Sequence, residues 1–149
     1  MLAESVSLEG VNNMDSVFGP LEKYDERAWT TMIKCELFGI KFEVEVIIGG
    51  NDSNAAIHEE QFLAMAFFQK NEKSLLASAE QHIRAHALAV SDTFVPTMVE
   101  LTGLVFPLVV IQGERVFGLL LECEWDEENG LAVRFDGTTV QTGTQDLLT

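Results

Sequence analysis

Hydrophobic and polar residues alternate from Trp29 to Ile48, which is the period of a β-strand with one buried and one solvated face. Lys and Glu occupy the polar positions on both sides of Phe38-Gly39. The pattern predicts a β-hairpin that turns at this dipeptide. Its apolar side consists of Ile33, Cys35, Leu37, Phe42, Val44, Val46 and Ile48.

The distribution of apolar residues in 55–91 predicts two helices. The first, "AAIHEEQFLAMAFFQK", is apolar nearly all round from Phe62 to Phe68, so we expect it to be deeply buried. Ser53 or Asn54 is expected to cap it and Asn71 to cap the second helix, "NEKSLLASAEQHIRAHALAVSD". A single bent helix is the alternative. The core stripe predicted for the second helix is Leu76, Ala79, Ile83, Ala87 and Val90.

Strand-like segments return after Pro96, separated by turn dipeptides such as Asn129-Gly130 and Asp136-Gly137. They are "MVELTGLVFPLVVIQG", "RVFGLLLECEW", "GLAVRFDG" and "TTVQTG". We predict an α+β fold, with a mainly antiparallel sheet of about six strands in the order ββ-αα-ββββ and two helices packed on one face. Residues 1–14 are predicted to be a flexible lead-in to a single α+β domain, residues 15–149.

The charge balance narrows the classes of partner. The chain has 24 acidic and 9 basic residues, a net charge of −15. Nucleic acids and anionic membranes both need a basic surface, so neither is an expected partner. A basic protein partner is favoured, although high negative charge also serves solubility alone. Cys35 and Cys123 are expected to be reduced core thiols. Reduced thiols, together with an N-terminus that does not resemble a signal peptide, predict a cytoplasmic location.

The segment "ECEWDEENG" holds the densest carboxylates, and three interpretations compete. They are general acid/base catalysis, a calcium site, and the tip of a hairpin. The tip is favoured, with Trp125 largely buried and Asp126 accepting hydrogen bonds from N–H groups of the turn. As a binding surface, the candidate acidic patch is Glu122, Glu124, Asp126, Glu127 and Glu128.

His82 and His86 stand four residues apart on the second predicted helix, so both point the same way. Such a pair can bind a divalent metal, with His58 or a distant carboxylate as third ligand. A zinc peptidase would carry Glu where this chain has Ile83. They remain weak metal candidates, and we assign no catalytic residue, metal or cofactor.

The stretch "WDEENGLAV", followed by Val140, Gly143 and Asp146, resembles an uncharacterised bacterial family of unknown function with a C-terminal W-D-x-E-H-G-[LI]-[GA]-V signature. The N-terminal half is loosely similar, in "FGPL", Trp29 and "LFG". This chain has Asn129 where the family has His. The resemblance implies an immunity-like role for some relatives, in which a small acidic protein masks a toxin. The motif residues, expected to be mainly structural, are Trp125, Asp126, Glu128, Gly130 and Asp146.

The sequence therefore favours a non-enzymatic acidic binding protein that engages a basic protein partner, as a monomer or a homodimer. The alternative is a small metal-dependent hydrolase that uses the acidic hairpin together with the helix histidines.

Overall fold

A computed structural model describes residues 18–25, 28–49, 57–107, 115–137 and 139–148. Short 3-10 turns lie at Pro96–Met98 and Gln145–Leu148. The helices and strands, in chain order, are β1 (Glu22–Asp25), β2 (Ala28–Leu37), β3 (Ile40–Gly49), α1 (Glu59–Lys70), α2 (Glu72–Ser91), β4 (Val99–Phe106), β5 (Val116–Cys123), β6 (Leu131–Asp136) and β7 (Thr139–Gly143).

The predicted α+β class and mainly antiparallel sheet are confirmed, but the predicted count of about six strands and the order ββ-αα-ββββ are corrected. The sheet has seven strands in the spatial order β1 to β7, because β1 precedes the predicted hairpin. "EKYD" is too short and polar to show the alternation that identifies strands. Neighbouring strands are antiparallel except β3 and β4, which are parallel, with Glu45 opposite Gly103. The crossover through α1 and α2 returns the chain in its original direction, as a parallel pair requires.

The main core lies between the sheet and the helices, where the strands place the apolar side chains of the predicted alternation. Phe117 stacks on Phe106 and on Phe135, which joins the end of β4, the start of β5 and the end of β6. The largest fully buried side chains are Phe68, Phe106, Phe117, Phe135, Leu37, Ile48, Met65, Ile83, Leu101, Leu104, Leu119 and Leu121.

The opposite face of the sheet has a smaller core of its own, formed by Val105, Val116, Ala132 and Leu148. Leu148 belongs to the C-terminal 3-10 turn, which lies across β5. A β-carbon on Gly118 would collide with the Val133 carbonyl oxygen of β6 and with the Leu148 side chain, so a glycine at this position lets both approach β5 closely.

Helix α1 begins later than predicted. Its N-cap is His58, whose Nδ1 accepts from Glu60 N, while Gln61 Oε1 accepts from His58 N at 2.7 Å. This reciprocal pair satisfies two N–H groups that a helix start leaves free. The predicted caps Ser53 and Asn54 lie outside the described residues. Asn71 is at the predicted cap position of α2, but its side chain donates backwards to Phe67 O.

The predicted burial is wrong for part of each helix. Val90 is 55% exposed, and Leu75 is buried on the core side of α2 instead. In α1, Leu63 and Phe67 are 40% and 38% exposed, because the sheet covers only one side of that helix. Among the described helices, none combines the length and apolar character that crossing a membrane requires.

Gln61 joins α1 to the ends of the two parallel strands. Its side-chain nitrogen donates to Gly49 O at 2.7 Å, where β3 ends, and to Phe106 O and Pro107 O at 3.1 and 3.0 Å, where β4 ends. Gln61 is only 2% exposed. A buried polar group is tolerated when its hydrogen bonds are made, and here they connect three elements.

Candidate functional site

An open groove of about 400 Å³ lies where β4 begins and β5 ends. A backbone hydrogen bond joins the two segments at this point, since Glu124 N donates to Met98 O at 3.0 Å. No Lys or Arg is among its lining residues in the described part of the chain. The groove is lined by Thr97, Met98, Val99, Glu100, Glu122, Cys123, Glu124 and Glu127, and we refer to it as the acidic groove.

The strand register places Glu100 of β4 directly opposite Glu122 of β5, and both are exposed. Like charges at directly opposed positions of an antiparallel pair destabilise the sheet. None of the other strand pairs among the described residues places two like charges directly opposite each other. In the β2–β3 hairpin, each exposed glutamate faces a lysine, in the pairs Lys34–Glu43 and Glu36–Lys41.

The turn after β5 is held by Asp126. Its Oδ1 accepts from Asn129 N at 3.0 Å, as the sequence predicts for this carboxylate, and its carbonyl accepts from Gly130 N at 2.9 Å. The amide of Asn129 also contacts both carboxylate oxygens, at 3.3 Å. The Asp126 carboxylate therefore points into the turn and not into the acidic groove.

The predicted acidic patch is thus divided. Glu122, Glu124 and Glu127 line the acidic groove, and Asp126 holds the turn. Glu128 is exposed but is not among the lining residues.

Trp125 lies outside β5, contrary to prediction, because the strand ends at Cys123. Asp126 N donates to Cys123 O, at 3.4 Å, so the chain is already turning at this point. Trp125 is half-buried against the main core, and its ring lies 6.0 Å from that of His86 on α2. The indole therefore connects the hairpin turn to the helix layer.

The histidines serve separate local contacts. His82 Nδ1 lies 2.9 Å from Ser78 O, His86 contacts Trp125, and His58 caps α1. In the ranges that the structure describes, no three His, Cys, Asp or Glu side chains are grouped to hold a metal ion.

Both cysteines are buried free thiols, on strands separated by β3 and β4. Burial raises the pKa of Cys35 to about 12, and the Glu72 carboxylate adds to the effect. Burial also raises the pKa of Cys123, which lines the acidic groove, although hydrogen bonds with the backbone of Asp126 and Trp125 oppose the change. Neither thiol has the depressed pKa of a nucleophile.

The two halves of the C-terminal motif meet in space. Gln145 N donates to Asn129 O at 3.1 Å, and its side chain donates to Leu121 O. Gly130 has a φ of +65°, and a β-carbon there would collide with the Gln145 side chain. The C-terminal turn is therefore docked on the β5–β6 hairpin. Asp146 is exposed on that turn.

Sequence reasoning missed Thr97, Met98, Val99 and Glu100, which line the acidic groove, and Gln145, which packs on the turn after β5. Each comes from a segment that lies far along the chain from the residue it meets, so no local pattern identifies it. The strand pairing of β4 with β5 and the docking of the C-terminal turn bring them into place.

A family described as a domain of unknown function, DUF6985, matches residues 17–149. Comparisons with curated proteins and with solved structures give no match.

Proposed function

Because the chain belongs to the DUF6985 family, whose function is unknown, we propose its role from the geometry: a non-enzymatic binding protein whose acidic groove engages a basic segment of a protein partner. The pairing of Glu100 with Glu122 is the observation that carries the proposal. A cationic side chain between the two carboxylates would relieve their repulsion.

The chemistry of the lining defines the partner. Glu100, Glu122, Glu124 and Glu127 offer acceptors on both sides of the acidic groove, and the groove is open to solvent. An extended segment with several Lys or Arg side chains fits this arrangement. Each exposed ion pair contributes about 1 kcal/mol or less, so several must act together. Such binding is fast to form and weakens as salt is added.

One specific form of this role is immunity-like: the acidic groove would mask a basic surface of a toxin. The resemblance of "WDEENGLAV" supports this form, as it supports a bacterial origin. The charge and the two free thiols support a cytoplasmic location. A partner of this kind would carry a basic surface, and oligolysine should compete with it for the acidic groove.

The test uses a lysine octapeptide as the probe, titrated into the whole chain by calorimetry. We expect binding at low salt that is lost in about 1 M salt, where the Debye length is ~3 Å. The double variant Glu100→Gln/Glu122→Gln is expected to weaken binding about tenfold, which corresponds to roughly 1.4 kcal/mol. A glutamate octapeptide should not bind.

The matched control is Glu36→Gln/Glu43→Gln, which removes the same charge from glutamates that face lysines. We expect this variant to change affinity much less than the acidic-groove variant does. Equal weakening by both would show that only the net charge attracts the peptide, and the proposal for the groove would fail.

The hydrolase alternative needs the acidic hairpin and the pair His82 and His86 at one site. These side chains make separate contacts, so no geometric observation favours it. Melting temperatures measured with and without divalent ions test it directly. A stabilisation that depends on His82 and His86 would support the hydrolase alternative.

A further inference from the structure

Helix α2 presents a regular row of residues on its outer side. Ala77, Gln81, Arg84 and Leu88 follow one another at spacings of four, three and four, and all are exposed. This is the spacing at which one helix packs along another. We call this row the outer seam. A shallow groove runs along it, bordered by Glu80 and Ala85 as well.

The outer seam lies in a segment with few carboxylates, unlike the rest of this acidic chain. The chain has a net charge of −15, yet Glu80 is its one carboxylate between Lys73 and Ser91. One oxygen of that carboxylate, Oε2, accepts a hydrogen bond from Phe38 N at 2.7 Å. Arg84, one turn further along α2, lies over the rings of Phe38 and Phe94, at 5.6 and 5.2 Å from their centroids.

Two copies of so acidic a chain repel each other over most orientations. The repulsion is smallest where each copy presents a surface that lacks surplus carboxylates. The outer seam has this property, and it also carries Leu88, a large apolar side chain that is 46% exposed. Burying the exposed part of this side chain favours association.

We propose that the outer seam is the interface between two copies of this chain, with the two α2 helices antiparallel. A two-fold axis between Gln81 and Arg84 places each Leu88 opposite Ala77 of the second copy. A large side chain then meets a small one, as close packing requires. The same axis brings Arg84 of one copy beside Glu80 of the other, so the seam complements itself in size and in charge.

The size of the outer seam indicates how tightly two copies can bind each other. From Ser74 to Ser91 a helix is about 25 Å long, and contact along one side buries on the order of 1,000 Å² in total. Interfaces of this size form weak, transient complexes. The dimer is therefore expected at micromolar or higher concentrations, and more strongly in salt, which screens the repulsion between the two negative charges.

Sedimentation equilibrium over a concentration series, at low and moderate salt, tests the proposal. The unmodified chain should dimerise more tightly as salt is added. Leu88→Glu should raise the dimer dissociation constant at least tenfold. Leu63→Glu is the matched control, a similarly exposed leucine on α1, and it should have no such effect.

Three outcomes would overturn the proposal: a chain that stays monomeric at every concentration and salt, a dimer that Leu88→Glu leaves intact, or a dimer that both variants weaken equally. The exposure of Leu88 makes misfolding of its variant unexpected, and circular dichroism checks this.

Cysteine cross-linking tests the orientation. The double variant Ala77→Cys/Leu88→Cys should form covalent dimers under copper–phenanthroline, because antiparallel helices place each new thiol opposite the other. The single variants should not. Efficient cross-linking by a single variant would indicate a parallel arrangement and would refute the antiparallel one. The native thiols are buried and should not react.

Discussion

Gln61 provides the sharpest test of how this fold is held together. Its side chain is 2% exposed and makes four hydrogen bonds, three to carbonyl oxygens at the ends of β3 and β4 and one from the N-cap of α1. Gln61→Met keeps the length and approximate volume of the side chain and the helix propensity. It removes the donors and the acceptor together.

The expected loss follows from these bonds. The carbonyl groups of Phe106 and Pro107 are buried, and each unsatisfied buried group costs about 1–3 kcal/mol. Loss of the cap on His58 N costs roughly 1 kcal/mol more. Because each carbonyl keeps a second lone pair for another donor, we expect the low end, about 3 kcal/mol. This is a large part of the stability of a domain of this size, roughly 5–15 kcal/mol.

Urea unfolding monitored by tryptophan fluorescence measures this difference. The control is Gln141→Met, the same substitution at an exposed position on β7, which should change stability by about 0.5 kcal/mol or less. If Gln61→Met cost less than about 1 kcal/mol, or no more than its control, the view that Gln61 joins the parallel strands to α1 would be refuted.

Gln61→Glu gives an independent check of the same bonds. At neutral pH it places a carboxylate against three carbonyl oxygens, which disfavours the charged form. The pKa of this introduced carboxyl should therefore rise in the folded state. Stability of the variant should increase as pH falls, because protonation restores one donor. A variant whose stability does not change with pH relative to the unmodified chain would contradict this.

Three further predictions concern the hairpin and the core. Gly130→Ala should cost about 2–4 kcal/mol in urea unfolding, because collisions with the Leu121 carbonyl oxygen and the Gln145 side chain add to the strain of a positive φ. Asp126→Ala should cost about 1–2 kcal/mol and increase hydrogen exchange at the amide of Asn129, which loses its acceptor. The folded pKa of Cys35 is about 12, above the ordinary 9.0, so its contribution to stability is complete below pH 9 and is lost towards pH 12. Unfolding free energies at pH 8 and pH 10.5 should show this loss.

The controls separate local causes from general ones. Gly137 also has a positive φ, of 62°, but open space around it, so Gly137→Ala should show the strain alone. Equal costs at both glycines would contradict a collision at Gly130. Asp146→Ala, on the exposed C-terminal turn, should not alter exchange at Asn129. Cys35→Ala should reduce the loss of stability between pH 8 and pH 10.5, and an unchanged loss would assign it to other groups.

Much of the fold could be predicted from local patterns. The alternation from Trp29 to Ile48 is present as β2 and β3, since a period of two leaves only one way to bury the apolar side. The turn at Asn129-Gly130 and the role of Asp126 in it are also local, because their bonds span at most four residues. The short strand β1 was missed, since its four residues carry no apolar period.

The burial of particular side chains was predicted less well. Val90 fits the helical stripe of α2, yet it is exposed, because which side of a helix is covered depends on where the sheet ends. Trp125 continues the apolar face of β5 in sequence but lies beyond the last residue of that strand. Periodicity identifies a face of a helix or strand, and tertiary contacts decide how far along it burial extends.

The candidate site divides in the same way. The sequence by itself determined that carboxylates gather around Trp125, that the chain is strongly acidic, and that Asn-Gly makes the turn. Only the tertiary structure decided that Glu100 faces Glu122, because the partner of a residue in a sheet depends on strand register, which the bulge at Leu101–Gly103 shifts. The tertiary structure also decided that the Asp126 carboxylate points away from the acidic groove and that Gln145 packs against Gly130. Such long-range pairings form only when the whole core packs together, so a local stretch of sequence does not predict them.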